Sequence, residues 1–382
     1  MTDDLPPNPA LLPAGLRDLL PPEAETEASA VETLMDVFAA FGYQRVKPPL
    51  LEFEDSLLAG SGAAVAEQTF RLMDPDSQRM MGLRADTTPQ VARIATTRLA
   101  GAPRPLRLSY AGPCLRVRGN QLAPDRQVGQ AGIELIGHDS PEADAETVLV
   151  AAEALAAVGL SQVSFDLTLP MLVPSLLDDA DLDGPERVML ARALDRKDAA
   201  AVSRHGGPLA PVLTDLLMAA GPADRALGAL AAAKLPNAAG ILAERVALAV
   251  AAIRARAPAL RLTVDPVEFR GFRYETGVSV AVYALGRHEE LGRGGRYNCG
   301  DAEPATGLTL YPDAILRVAE PRQARPRVFV PFGADLAAAA RLRAEGYATV
   351  AGLAPMDDDT VEAGRLGCSH ILRADAAEAL QT

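Results

Sequence analysis

The chain has 382 residues, of which 49% are hydrophobic and 23% are charged, a composition typical of globular proteins with a large core and not of disordered chains. Its length is about two to three times that of a typical domain, so we expect two or three folding units. The net charge of -13 opposes a broad surface that tracks the phosphates of tRNA or DNA.

Cysteine and histidine are few, with three cysteines and four histidines scattered along the chain. They form no metal-type or redox-type motif, so we expect no metal and no cofactor. The first twelve residues are acidic and contain proline, where a signal peptide has a basic start and an apolar run. The most apolar stretch, Val148 to Leu160, is too short to span a bilayer. These features predict a cytoplasmic protein without a membrane segment.

The first predicted element is an amphipathic helix over residues 23–41, where apolar side chains recur with the helical period and Gly42 follows as a C-cap. Residues 43–54 mix apolar and polar side chains around Pro48 and Pro49. Because proline cannot donate to a sheet ladder, this pair confines any strand there to a sheet edge.

A hairpin is predicted next, because two strand candidates are joined by a polar loop: residues 106–118 and 128–137. Side chains two apart share a strand face, which places Arg116 with Arg118, and Gln130 with Glu134. The opposite faces are apolar. Alternation alone leaves two interpretations open: a polar face exposed to water, or a polar pocket with this hairpin as its floor.

The middle of the chain changes from mixed to helical patterning. Ser140 and an acidic first turn open a helix that ends near Val158, and residues 162–169 alternate as a strand. An Ala/Leu-rich helical pattern then runs over about residues 174–258. This pattern predicts a helical insertion.

Strand signals return after the insertion, over residues 260–269 and 277–285. The run Gly292–Arg296 lacks the Lys-Ser/Thr ending of a phosphate loop, so we interpret it as a glycine turn leaving a strand. Beyond a linker rich in proline and arginine, residues 326–382 predict a small α/β unit.

Several segments, taken together and in order, resemble histidyl-tRNA synthetases from about residue 11 to 318. The N-terminal region and motif 1 of that family resemble Pro13–Pro21 and Lys47–Glu52, its Arg-Pro-Glu-x-Thr segment resembles Leu83–Arg93, its motif 2 resembles Leu115–Arg116 with Gln127–Gly137, and its histidine-specific segments resemble Arg270–Gly277 and Gly294–Tyr297.

The departures from that family fall on the ATP contacts. Where the synthetase motif 2 has Arg-x-Glu, this chain has Arg116 and Arg118, so the adenine-reading carboxylate is replaced by a positive charge. Ala314 stands where motif 3 has an arginine for the triphosphate, although Arg317 is nearby. Losing a charged partner of the reacting phosphate typically costs a factor of roughly 100 or more in rate. The resemblance therefore implies a chain that does not activate an amino acid and has no catalytic residues.

The residues that bind the amino acid in the synthetases are matched more closely in this chain than those that bind ATP. The resemblance implies a histidine-binding site formed by Asp86, Thr88, Arg116, Gln130, Glu134, Arg270, Tyr274, Glu275 and Tyr297. Carboxylates and an amide suit the ammonium and imidazole groups, and arginine suits the carboxylate. Glu275 replaces a synthetase tyrosine, and Arg273 replaces an aspartate.

The resemblance implies an α+β fold: a class II aminoacyl-tRNA synthetase-like antiparallel sheet flanked by helices, with a helical insertion and a small C-terminal α/β unit. Its expected parts are residues 1–170 and 259–320 for the core, 171–258 for the insertion, and 326–382 for a unit that is abbreviated relative to an anticodon-binding domain.

A synthetase-like chain without the ATP contacts resembles the regulatory subunits of ATP phosphoribosyltransferase. This resemblance implies a non-catalytic protein that dimerises, assembles with a short-form catalytic subunit in a hetero-octamer, activates it, and transmits feedback by histidine in the first step of histidine biosynthesis. It implies no tRNA partner. A histidyl-tRNA synthetase and a free-standing histidine sensor are the alternatives.

Overall fold

The computed structural model describes residues 10–119, 124–180, 182, 184–268, 275–287, 289–300, 302–319 and 324–380. The chain divides into two compact units, Met1–Glu320 and Pro321–Thr382. Within the described ranges, no helix combines the length and apolar character needed to cross a membrane.

The helices begin and end as follows: α1 Glu23–Ala40, α2 Glu54–Leu57, α3 Thr88–Thr96, α4 Pro141–Ala157, α5 Leu172–Asp179, α6 Gly184–Asp195, α7 Ala199–His205, α8 Ala210–Ala219, α9 Ala223–Ala232, α10 Asn237–Arg256, α11 Pro312–Val318, α12 Leu336–Ala344 and α13 Asp359–Arg365. The strands are β1 Gln44–Arg45, β2 Leu51–Phe53, β3 Arg71–Met73, β4 Met80–Leu83, β5 Leu106–Leu115, β6 Gln127–Ile136, β7 Val163–Thr168, β8 Gly221–Pro222, β9 Arg261–Asp265, β10 Glu275–Ala284, β11 Glu290–Cys299, β12 Glu303–Leu310, β13 Arg327–Val330, β14 Ala348–Ala351, β15 His370–Arg373 and β16 Ala376–Ala379.

A mainly antiparallel sheet of nine strands organises the described part of the first unit, in the order β1-β5-β6-β12-β11-β10-β7-β9-β8. The predicted hairpin is present as β5 and β6, with Gly112 opposite Gln130 and Leu108 opposite Glu134. Strand β1 runs parallel to β5 and forms an edge of the sheet, which agrees with the proline pair that follows it. A separate small sheet has the order β2-β4-β3.

Helices α1, α4 and α10 pack together beside the large sheet. The start of α4 follows its sequence, because the Ser140 hydroxyl accepts from the Ala143 N–H at 3.3 Å and Pro141 occupies the first turn. Apolar side chains of these helices, such as Phe38 and Leu155, belong to the same hydrophobic core as Phe165 and Leu167 of β7. The elements α5 to α10 lie between β7 and β9 in the chain and contribute to the same core.

The prediction of a glycine turn at Gly292–Arg296 is wrong, because these residues lie within β11. Gly292 to Gly295 pair with β10 on one side and β12 on the other. Gly294 lies opposite Leu308 on one neighbouring strand and Val280 on the other. A Cβ at Gly294 would overlap the carbonyl of Gly307. Glycine is therefore required here by the close approach of two strands and not by a turn.

Two expectations for the hairpin also change. Strand β5 ends at Leu115, and the Val117 N–H donates to Gln68 O at 2.9 Å, so Arg116 and Arg118 do not share a strand face. The interpretation of the polar face as exposed to water is wrong, because Gln130 and Glu134 are 2% and 1% exposed.

The second unit contains a four-stranded sheet in the order β14-β13-β15-β16. Strands β14 and β15 both run parallel to the central β13, and β16 is antiparallel to β15. Ala338 and Leu342 of α12 pack with Val328, whereas Ala363 of α13 packs with Phe329. Because neighbouring residues of a strand face opposite sides, the two helices cover opposite faces of this sheet.

Candidate ligand-binding cleft

A narrow polar cleft lies over the middle of the large sheet. Its lining residues are Asp86, Thr88, Gln130, Glu134, Glu275, Arg293, Gly294, Gly295, Tyr297, Gly307, Thr309 and Tyr311. The four neighbouring strands β6, β12, β11 and β10 supply most of these residues. Asp86 lies in the segment between β4 and α3, and Thr88 is the first residue of α3.

The sheet register explains why there is a cleft here. Glu134 lies opposite Gly307, Gly307 opposite Gly295, and Gly295 opposite Ser279. Two glycines therefore occupy the middle of one cross-strand row. Because they have no side chains, they leave space between the buried carboxyl groups of Glu134 and Glu275, which line the two sides.

Glu134 is held by hydroxyl groups. Its Oε1 accepts from Thr88 Oγ1 at 2.8 Å, and its Oε2 accepts from the Tyr297 hydroxyl at 2.9 Å. Burial raises the pKa of Glu134 to about 8, against these hydrogen bonds, which lower it. Much of this carboxyl is therefore protonated at neutral pH, and a ligand cation beside it would favour the ionised form.

Gln130 has a fixed amide orientation. Its Nε2 donates to Asp86 Oδ1 at 3.0 Å, while its Oε1 accepts from the Thr87 N–H at 2.9 Å and from Cys114 Sγ at 3.1 Å. Burial raises the pKa of the Cys114 thiol to about 12, which keeps it in the donor form at neutral pH. The amide group of Gln130 thus positions Asp86, the carboxyl group that lies on the same side of the cleft as Glu134.

Glu275 lies on the other side of the glycine row. Its Oε2 accepts from Ser279 Oγ, and burial raises the pKa of this carboxyl to about 7. The neighbouring Arg293 makes a two-point hydrogen bond to Glu290, at 2.9 and 2.7 Å. The cleft is therefore rich in acceptors that suit a ligand with several N–H donors.

Six of the nine residues predicted for the site line this cleft: Asp86, Thr88, Gln130, Glu134, Glu275 and Tyr297. Arg270 and Tyr274 lie outside the described residues. Arg116 follows the end of β5 and is not a lining residue. Burial raises the pKa of the Tyr311 phenol, and the positive charge of Arg116 acts in the opposite direction.

Sequence reasoning did not assign six residues that line the cleft: Arg293, Gly294, Gly295, Gly307, Thr309 and Tyr311. The first three belong to the glycine-rich run that we predicted as a turn. The last three lie on or directly after β12, at alternate positions. That alternation was a usable signal, because residues two apart share one strand face.

The positions of the departures from the synthetase pattern fit a loss of the ATP contacts. Ala314 is buried within α11 and brings no charge. The nearby Arg317 makes an ion pair with Glu289, which occupies the guanidinium group. Arg118 is exposed beyond the hairpin strand. In the described part of the chain, no group of His, Cys, Asp and Glu side chains could hold a metal ion.

Comparison with known proteins places the chain in a family. The family model described as "Histidyl-tRNA synthetase" matches residues 15–315. A protein of Paramagnetospirillum magneticum named "ATP phosphoribosyltransferase regulatory subunit" is 56% identical over 368 residues, covering 96% of this chain and 97% of that protein. A protein of Gluconobacter oxydans with the same name is 54% identical, covering 98% of both chains.

The chain belongs to the ATP phosphoribosyltransferase regulatory subunit family. The solved structure of an ATP phosphoribosyltransferase regulatory subunit/histidyl-tRNA synthetase from Bacillus halodurans C has the same fold, with a TM-score of 0.80 at 23% identity over 95% of this chain and 97% of that one. Histidyl-tRNA synthetase from Nostoc sp. PCC 7120 gives a TM-score of 0.76 at 17% identity, over 94% and 90%. The predicted α+β, class II synthetase-like fold is thus confirmed.

Proposed function

We propose that this chain binds histidine in the cleft and, as a non-catalytic subunit, activates the short-form catalytic subunit of ATP phosphoribosyltransferase and conveys feedback by histidine. Two features together support this proposal. The cleft is rich in acceptors, and the buried, uncharged Ala314 stands where the synthetases have an arginine that holds the ATP triphosphate. A ligand with an ammonium group and an imidazole N–H suits these acceptors, whereas a triphosphate does not.

The roles within the cleft follow from chemistry. Asp86 and Glu134 are carboxyl groups on one side of the glycine row and are suited to the ammonium group. Glu275, on the other side, is suited to an imidazole N–H. The positive charge of Arg116 is suited to the carboxylate. In this proposal Arg270 and Tyr274 complete the site.

Feedback requires that histidine binds two states of the complex with different affinity. In typical cases this coupling is about 1 to 3 kcal/mol, or roughly 5- to 150-fold in affinity. We propose that the complex is a hetero-octamer containing dimers of this chain, that it acts in the cytoplasm, and that tRNA is not a partner.

The test measures phosphoribosyl-ATP formation by the purified short-form catalytic subunit, alone, with this chain, and with this chain and histidine. We expect activation by the chain and inhibition by histidine. Glu134→Gln should retain activation and lose the response to histidine, while the exposed Glu244→Gln on α10 should retain both. No change in rate on adding the wild-type chain would contradict the proposal.

Each alternative predicts a different result. A histidyl-tRNA synthetase would catalyse histidine-dependent exchange between ATP and pyrophosphate, which Ala314 and Arg118 oppose. A free-standing sensor would bind histidine without changing the catalytic subunit's rate. Running the exchange assay and a histidine titration beside the activation assay separates the three functions.

A further inference from the structure

One residue that lines the cleft, Tyr311, has no role in the proposed function. It directly follows β12 and precedes α11. Its N–H donates to Leu291 O at 2.8 Å, and its carbonyl accepts from the Ile315 N–H at 3.0 Å. Gly307, Thr309 and Tyr311 alternate along the chain, and all three line the cleft. Sheet and helix hydrogen bonds therefore hold Tyr311 on the ligand side of the sheet.

The Tyr311 hydroxyl differs from the other hydroxyl groups that line the cleft. Those of Thr88 and Tyr297 donate to Glu134 at 2.8 and 2.9 Å. That of Thr309 is hydrogen-bonded at 2.7 Å to the hydroxyl of a fully buried tyrosine. Among the described residues, no group is hydrogen-bonded to the Tyr311 hydroxyl. This donor can therefore meet a ligand without first breaking a hydrogen bond to another described residue.

The position of Tyr311 matches the place where an amino-acid carboxylate is expected. Strands β6 and β12 pair as far as Leu310 of β12, and the next residue on each chain lines the cleft: Gln130 and Tyr311. Gln130 donates at 3.0 Å to Asp86, one of the carboxyl groups suited to the ammonium group. The ammonium and carboxylate groups of an amino acid are bonded to the same carbon. A ligand whose ammonium group contacts Asp86 therefore holds its carboxylate close by.

The chemistry of this end of the cleft also favours a carboxylate. Arg293, another lining residue, lies opposite Thr309, which is two residues before Tyr311, and such diagonal neighbours are within reach of long side chains. Burial raises the pKa of the Tyr311 phenol, as does the charge of Glu290, whereas the positive charges of Arg116 and Arg293 act against it. The hydroxyl is therefore protonated at neutral pH. A neutral O–H donor and a guanidinium group on one sheet face suit a carboxylate.

We propose that Tyr311 is a specificity-determining residue whose hydroxyl donates a hydrogen bond to the carboxylate of the bound amino acid. The ligand class of the cleft is then an α-amino acid with an imidazole ring and a free carboxylate, and amines with the same ring bind less tightly. Arg116 supplies charge for this carboxylate in the proposed function, and Tyr311 adds a directed donor. This inference rests on the proposed function, because that function supplies histidine as the ligand.

The test compares two ligands by calorimetric titration of the full-length chain: histidine, and histamine, which is histidine without its carboxylate. The wild type should bind histidine at least about tenfold more tightly than histamine. Tyr311→Phe removes only the hydroxyl. It should lower histidine affinity about tenfold, because a hydrogen bond to a charged group is lost. Its histamine affinity should stay within about twofold of the wild type.

The matched control is Tyr347→Phe, which removes the hydroxyl of a half-buried tyrosine in the second unit. Both affinities should remain those of the wild type. Chemical denaturation of each variant checks that the fold is retained. In the activation assay, the histidine concentration for half-inhibition should rise in Tyr311→Phe by the same factor as the dissociation constant.

The outcomes separate this inference from the proposed function. If the wild type binds histidine and histamine equally tightly, the carboxylate is not recognised and the inference is wrong, whatever the variant does. Equal histidine affinity of Tyr311→Phe and the wild type, or an equal loss for both ligands, also overturns it while the proposed function stands. If the wild type binds no histidine, the proposed function fails and the inference fails with it.

Discussion

Gly307 lies directly opposite Glu134 across the β6–β12 pair, so closely that a Cβ at Gly307 would overlap the Glu134 carboxylate. This relationship links the backbone of the sheet to the chemistry of the cleft. The glycine permits a carboxyl group to be buried in a sheet interior, and the hydroxyls of Thr88 and Tyr297 complete its hydrogen bonds.

The first prediction concerns Gly307→Ala. The added methyl group would push the Glu134 side chain out of its present position and into the cleft. We expect histidine affinity to fall at least about tenfold, with a loss of stability of about 1–3 kcal/mol from overpacking. Calorimetric titration and chemical denaturation measure the two effects. The control is Gly228→Ala in α9, whose added Cβ meets no atom within 4 Å. Gly159 is not used, because its positive φ would strain any other residue.

The second prediction is the pH dependence of ligand affinity. If a cationic ligand binds only the ionised form of Glu134, whose pKa is about 8, affinity should rise about fivefold from pH 7 to pH 8. Binding near neutral pH should release a proton, detectable as a dependence of the binding heat on the buffer. Glu134→Gln should abolish the proton release. A pH-independent affinity in the wild type would argue against an ammonium group beside Glu134.

The third prediction needs no ligand. The pKa of Glu134 is raised from 4.5 to about 8 on folding, so between these values the folded chain binds more protons than the unfolded chain. The contribution of Glu134 to the free energy of unfolding therefore falls as pH rises from about 4.5 to 8. Denaturation at a series of pH values should show a shallower fall in Glu134→Gln. An identical slope in both proteins would contradict a raised pKa of Glu134 in the folded chain.

The fourth prediction concerns Asp144, a buried carboxylate of α4. Its Oδ1 accepts from Arg296 Nε of β11 at 2.9 Å, and its Oδ2 accepts from Arg245 Nε of α10 at 2.9 Å. Asp144→Ala would leave two guanidinium groups partly buried without this partner, and we expect a loss of about 3–5 kcal/mol in stability.

Urea denaturation measures this loss. The matched control is Asp224→Ala, since Asp224 pairs with Arg254 on the surface and an exposed pair contributes about 1 kcal/mol or less. Equal effects of the two substitutions would show that the buried network does not stabilise the fold.

The fifth prediction tests the tyrosine hydroxyl that holds Glu134. Tyr297→Phe removes the donor at 2.9 Å from Oε2 and should raise the pKa of Glu134 further, because that hydrogen bond lowers it. Histidine affinity at pH 7 should then decrease by about threefold to tenfold. Tyr283→Phe, at a half-buried position on β10, is the matched control and should bind histidine as the wild type does.

The sequence was sufficient for features that depend on local patterns. Helix α1, the β5–β6 hairpin and the cap of α4 at Ser140 follow from periodicity, alternation and side-chain capping, which operate between residues near in the chain. Alternation also placed Gln130 and Glu134 on one face. The resemblance of ordered motifs then indicated the fold and the family.

Only the tertiary structure decided whether that polar face met water or formed a cleft, because the answer depends on what packs over it from distant segments. Gly295 and Gly307 are far from Glu134 in the chain, and their role appears only when β6, β12 and β11 are aligned in register. Sequence patterns report which face a side chain takes, whereas strand order and register determine its neighbours.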